Sequence, residues 1–167
     1  MSLTRKKARY LVVRGEEPVV VTVLSGAVLV PMHWDASAKR SRRCGGRACA
    51  LCADGVELQE RVYVWCQYKG ERYLLMLTAS NEEELEAQGV SLEDVGSVVG
   101  TVIELRRETP AYNARQVCRV VDKVEVLPVG PPEAERIGLE PELKGSRLVE
   151  CIVPESPRGR GLRRIGQ

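Results

Sequence analysis

The chain has 167 residues, 29% of them charged and 44% hydrophobic, and a formal net charge of +2. That length supports one domain with a genuine core plus an elaboration, and excludes two full domains. No apolar run approaches a membrane span, and the basic start MSLTRKKARYLVVRGEE lacks the apolar stretch and cleavage site of a secretory signal. The expected compartment is therefore the cytoplasm, where thiols stay reduced and bind metals instead of pairing as disulfides.

The charge is segregated. Residues 1–70 carry 12 basic and 6 acidic side chains, residues 71–153 carry 9 and 16, and the last fourteen carry four arginines against Glu155. Such a distribution gives a small protein a positive face without a high overall charge.

In chain order, Val19 to Val30 reads as a β-rich run with a sharp bend or bulge at Ser25 and Gly26, and Pro31 is expected to demote the next residues to an edge or loop. The stretch HWDASAKRSRRCGGRACALC, residues 33–52, follows. Cys49 and Cys52 have the two-residue spacing that lets both thiolates bind one metal, and Cys44 precedes them across the flexible pair Gly45 and Gly46. His33 supplies a fourth ligand, with Cys66 as its rival for that position. Cys66 lies within VYVWCQY, however, where a small buried hydrophobe is the ordinary expectation. One histidine and three thiolates form a closed set with no position left for substrate, so the expected metal is a single structural zinc ion. Cys118 and Cys151 have no close partner and read as structural.

Beyond this knob, Val62 to Tyr68 alternates with Tyr63 and Trp65 on one face and Val62, Val64 and Cys66 on the other; Lys69 and Gly70 turn the chain into a second strand over 72–78. Ser80 or Asn81 is the expected N-cap of a short helix ending at Gly89, with Glu82, Glu83 and Glu84 suiting its positive end. A brief turn covers Ser91 to Val95. Residues 98–108 read as a strand bending at Gly100, then a loop, then a strand over 116–128. The chain thus divides into a domain over 1–130 with the knob at 33–52, an extension over 131–153 and a flexible basic tail over 154–167. Five bent strands with a helix between the third and fourth is the plan of an oligonucleotide-binding (OB) barrel, so the expected fold is mainly β, an OB-like five-stranded barrel with an inserted zinc knob and a short helix.

The knob and barrel together hold what a single strand of nucleic acid requires, cations for phosphates and aromatic faces for bases. Lys39, Arg40, Arg42, Arg43 and Arg47 form a run free of acids, and Trp34, Tyr63, Trp65 and Tyr112 are the candidate stacking residues. Arg106 and Arg115 extend the basic path, with Arg107 and Arg119 on the same two strands. Neither a phosphate-cradling glycine loop followed by lysine nor a nucleophile elbow occurs, so no enzymatic activity is expected.

With its order His33, Cys44, Cys49 and Cys52 inserted early in a barrel, the sequence resembles the helix-destabilising single-stranded DNA-binding proteins of T-even phages over roughly residues 10–127. The resemblance implies a zinc module that braces a cleft for single-stranded DNA in replication, recombination or a mobile element, with protein partners of such a complex; stacking and phosphate contacts serve RNA as well, so RNA is a further expected ligand. The spacing from Cys44 to Cys49 is shorter than in that family, and RGRGLRRIGQ replaces an acidic tail with its opposite, so partner recruitment through a tail does not carry over. The competing expectation is a zinc-stabilised protein-interaction or scaffolding module of a nucleoprotein complex.

Overall fold

In the computed structural model, which describes residues 8–111, 114–133, 137 and 149–152, two successive strands pair with the same side of a third. Strand β2 (Val19–Val23) pairs with the distal part of β5 (Leu58–Tyr68) at Thr22↔Gln67 and Val23↔Cys66, whereas β3 (Val28–Asp35) pairs with its proximal part from Val28↔Tyr63 to His33↔Leu58. The change of direction falls at Ser25 and Gly26, both buried. There the Ser25 hydroxyl accepts the Trp65 amide at 2.9 Å and donates to the Gly26 carbonyl, and Leu24 N–H donates to Trp65 O. The expected bend is thus a break between two strands, stitched to β5 by one serine.

Pro31 does not end β3. Its carbonyl accepts Cys44 N–H at 2.9 Å, just beyond the hairpin that β3 makes with β4 (Arg40–Arg43). The missing proline N–H therefore falls at the end of that ladder, where it removes no interior bond. Strand β4 has no apolar pattern and was not foreseen; it exists because Asp35 closes the turn, accepting the Ser37 and Ala38 amides at 3.0 and 3.2 Å.

The rest of the sheet has the order β8-β7-β2-β5-β6-β1-β9, with β6 Glu71–Leu77, β7 Thr101–Arg107, β8 Gln116–Lys123, β1 Ala8–Leu11 and β9 Val149–Ile152. Lys69 and Gly70 both take positive φ, +49° and +78°, as the tight β5–β6 hairpin requires. Strands β1 and β9 were not anticipated. They pair in parallel, Tyr10↔Cys151 and Leu11↔Ile152, so the expected extension over 131–153 contributes a strand to the sheet. The expected basic tail over 154–167 lies outside the described residues. Gly100 precedes β7 rather than bending it: φ is +85°, and a Cβ there would collide with the Val124 carbonyl.

The chain is mainly β with a short helix, as expected, but the sheet is not a closed five-stranded barrel. Among the described residues β8 pairs with β7 alone. Its other side is met by α2 (Ala79–Ala87) and the turn that follows it. Asn81 Nδ2 donates to Gln116 O at 2.8 Å, Glu84 Oε2 accepts Cys118 N–H at 2.7 Å, and Gln88 accepts Val120 N–H at 2.7 Å while donating to Cys118 O. Positions 81, 84 and 88 lie on one side of a helix, so they present a row of polar groups to the strand. Gln116 Nε2 in turn donates to Met76 O and Asn81 Oδ1, joining β8 to β6 through side chains. The N-cap of α2 is Thr78, not Ser80 or Asn81: its hydroxyl accepts Asn81 N–H while Asn81 Oδ1 accepts Thr78 N–H, a capping box. The expected turn at 91–95 becomes α3 (Val95–Val98), capped by Asp94.

The main core gathers the inward faces of β2, β5, β6 and β7, including Val21, Val64, Cys66, Leu75, Ile103 and Leu105, under Leu85 of α2 and Val98 of α3. A second cluster, Val30, Met32, Tyr63, Leu74 and Ile137, covers the opposite face of β3, β5 and β6.

Asn81 is fully buried and serves both the cap and the β8 seam. Replacing it with Ala leaves the Gln116 carbonyl and the Thr78 amide without these partners, for an expected loss of about 1–3 kcal/mol. Urea unfolding would register this as a lower midpoint at unchanged slope; an unaltered midpoint would show that the seam does not depend on this side chain.

Candidate metal centre and nucleic-acid interface

The β3–β4 hairpin and the start of β5 bring the candidate ligands together. His33 sits on β3 opposite Leu58, Cys44 follows β4 directly, and the chain then turns through a 3-10 segment (Gly46–Ala48) to Cys49 and α1 (Ala50–Ala53), which contains Cys52. Gly46 takes φ +76° at the start of that turn, as the glycine pair suggested. The ligand atoms of His33, Cys44, Cys49 and Cys52 all lie within 4.8 Å of one another. Cys44 and Cys52 sulfurs are 3.6 Å apart, and Cys52 Sγ is 3.2 Å from His33 Nε2. A tetrahedron built on metal–sulfur bonds of about 2.3 Å has edges of about 3.8 Å, so the group has the dimensions to hold a metal ion.

The surrounding hydrogen bonds suit the same purpose. His33 is fully buried, and its Nδ1 lies 3.0 Å from Glu57 O. That carbonyl can only accept, which puts the ring proton on Nδ1 and the free lone pair on Nε2, facing the sulfurs. Backbone amides of Cys52, Gly45 and Leu51 turn toward Cys49 and lower its thiol to about 6, against burial. Cys52 moves the other way, up to about 11, first through its contact with Cys44. His33 has its proton affinity raised by Cys44 first, with burial opposing. Cys66 is not part of the group: it is fully buried in the main core, where burial pushes its thiol up to about 12. Cys118 is likewise a core residue, also at about 12.

The candidate strand-binding residues have diverse fates. Trp34 is 52% exposed and points away from His33, since adjacent strand residues face opposite ways. Lys39 is exposed in the hairpin turn at φ +52°, Arg40 pairs with Asp35 in the ladder, and Arg47 is exposed on the 3-10 turn. Arg43 is half-buried opposite Met32, on the Trp34 face. Arg42 lies on the other face and donates to Asp35 Oδ2 at 2.8 Å. The basic run lacks an acid in sequence, but Asp35, diagonally across the hairpin, supplies one, so Arg42 also braces the hairpin. The arginine also holds the Asp35 carboxyl below the usual range.

Tyr63 and Trp65 share a face as expected, yet Tyr63 is only 4% exposed, edge-on to Tyr10 and beneath Ile137 in the second cluster. Its assignment as a base-stacking residue is therefore corrected to core packing. Trp65 is half-buried with the Arg72 guanidinium 4.8 Å from its ring centroid. Arg72 and Arg61 were overlooked. Both lie on this face, Arg72 opposite Gln67 and Arg61 opposite Val30; alternation back from Tyr63 would have found Arg61, and the β5–β6 hairpin register Arg72. Arg106 is exposed on β7. Arg115 lies 3.4 Å from both Glu84 and Glu108 and is about half exposed, so it is ion-paired on the surface. Tyr112 lies outside the described residues.

No helix among the described residues is long and apolar enough to cross a membrane. No protein-family model matches the chain, and no match emerges among curated proteins or solved structures.

Metal binding here must displace the proton that Cys52 holds at neutral pH, so affinity should rise with pH and fall steeply on acidification as the thiolates protonate. Calorimetry in buffers of different ionisation enthalpy should register proton release on binding near neutral pH. Cys66→Ala should retain the metal and Cys49→Ala should lose it; the reverse pattern would reassign the centre.

Proposed function

We propose that the chain is a single-stranded DNA-binding protein, largely indifferent to sequence, whose basic hairpin is held in place by one structural zinc ion on His33, Cys44, Cys49 and Cys52. The observation that carries this reading is the shared face of β3, β4, β5 and β6, where Trp34 and Trp65 stand among Arg43, Arg61 and Arg72. Base faces stack on indoles and phosphates pair with guanidinium groups, with no need for readout of base edges. Arg72 over Trp65 extends that platform with a second planar surface. Three thiolates favour zinc over harder ions, and the closed ligand set assigns it structure rather than catalysis. The resemblance to the phage helix-destabilising proteins points to the same ligand, in replication, recombination or a mobile element.

A second reading, a protein-docking module, draws on a different surface. Leu127 is 90% exposed beside a cleft of about 400 Å³ lined by Val95, Val99, Val124 and Val126. The two are separated by direct titration with single-stranded DNA, duplex DNA and RNA of equal length.

Trp34→Ala is expected to weaken single-strand binding by about 1–3 kcal/mol without altering stability. Neutralising Arg43 and Arg47 together should lower affinity for all sequences alike and reduce the salt slope by roughly 0.7 per lost phosphate contact. Fluorescence anisotropy at several salt concentrations, with zinc content measured on each variant, checks both. Equal competition by duplex at moderate salt would overturn the single-strand reading.

A further inference from the structure

Among the described residues, Arg107 closes β7 without a carboxylate partner. Its Nε donates to Val13 O at 2.9 Å and its Nη1 to Ala114 O at 3.0 Å, while its backbone N–H donates to Gly15 O at 2.8 Å. These contacts tie the β1–β2 and β7–β8 connections together around one half-buried guanidinium. Arg14 sits between the two carbonyl-bearing residues Val13 and Gly15, exposed, and close enough that its charge adds to burial in disfavouring the Arg107 cation. Within the same described residues no ion pair engages Arg14, Arg106 or Arg107. The acids on the neighbouring strand positions are engaged elsewhere, Glu104 by Arg119 and Glu108 by Arg115.

A guanidinium partly withdrawn from water beside a second arginine is electrostatically unfavourable unless an anion completes the group. Its contacts with Val13 and Ala114 occupy two of its N–H donors and fix the plane of the fork, leaving the remainder to an oxyanion.

We propose that Arg107 and Arg14 form a phosphate-binding site, Arg107 as the pre-oriented fork and Arg14 as the supporting charge, which takes a backbone phosphodiester of the bound single strand. The proposal rests on the single-strand reading for the source of the phosphate, not for the site. The test follows the Arg107 Nε–H resonance of the full zinc-loaded chain during titration with inorganic phosphate and, separately, with a short oligothymidylate. Both should shift it. Arg14→Ala should bind the oligothymidylate several-fold more weakly, with a salt slope smaller by about 0.7 and unchanged thermal unfolding. Arg107→Lys, which keeps the charge but not the fork, should lose at least as much. Oligothymidylate binding that is unaffected by Arg14→Ala, with a resonance insensitive to inorganic phosphate, would overturn the site and leave the single-strand reading intact. A parent chain that ignores oligothymidylate but shifts Arg107 with inorganic phosphate would overturn that reading and support the site as one for a free phosphate group. Should Arg107→Lys fail to fold, the exposed Arg14 variant decides alone.

Discussion

Strand β5 runs for eleven residues and accepts β2 along one half of a side and β3 along the other half. Because both partners lie on the same side, the chain must leave β5 and return to it within the few residues around Ser25. The buried hydroxyl there satisfies the Trp65 amide, and without it that amide would face the gap between two strands. This arrangement sends β3 past the main core. Everything distinctive follows: β4 has a strand to pair with, His33 and Asp35 gain a buried side, and the cysteines fall where β3, β4 and β5 run out.

The candidate metal centre is therefore built into the sheet. Glu57 lies immediately before β5 and its carbonyl orients His33, so the residue that leads into the longest strand also sets which nitrogen faces the cysteines. On the far side of the same hairpin stand Trp34 and Arg43. A cation held by the His33, Cys44, Cys49 and Cys52 cluster would sit behind the hairpin and brace the side chains in front of it, in the way that outer contacts orient ligands in metal sites generally.

The candidate metal ligands were legible in the sequence because their chemistry is local: three cysteines from Cys44 to Cys52, with glycines between them, can converge on one point with little help from the rest of the fold. Alternation also revealed the β5–β6 hairpin and the Val62, Val64 and Cys66 face. It could not show which face would be covered. Tyr63 packs under Ile137, a contact between residues far apart in the chain that no periodicity registers. Arg42 and Arg115 read as free cations because their acids, Asp35 and Glu84, arrive from other elements. Strand β4, written RSRR, carries no apolar signal because the hairpin turn rather than burial makes it a strand. The open barrel was illegible for a similar reason: amphipathic patterns assign faces but do not say which strands meet.

The polar row on α2 has a consequence for assembly. An unpaired strand is a template on which another chain can add, and such addition underlies both aggregation and deliberate polymerisation. Along the open side of β8, the Gln116 carbonyl, both Cys118 backbone groups and the Val120 amide are already taken by Asn81, Glu84 and Gln88. A helix here performs the protective task that a lysine, a proline or a bulge performs in other sheets. Growth of the sheet at β8 is thereby opposed from within the molecule, and a second copy that meets this edge encounters helix side chains in place of open backbone.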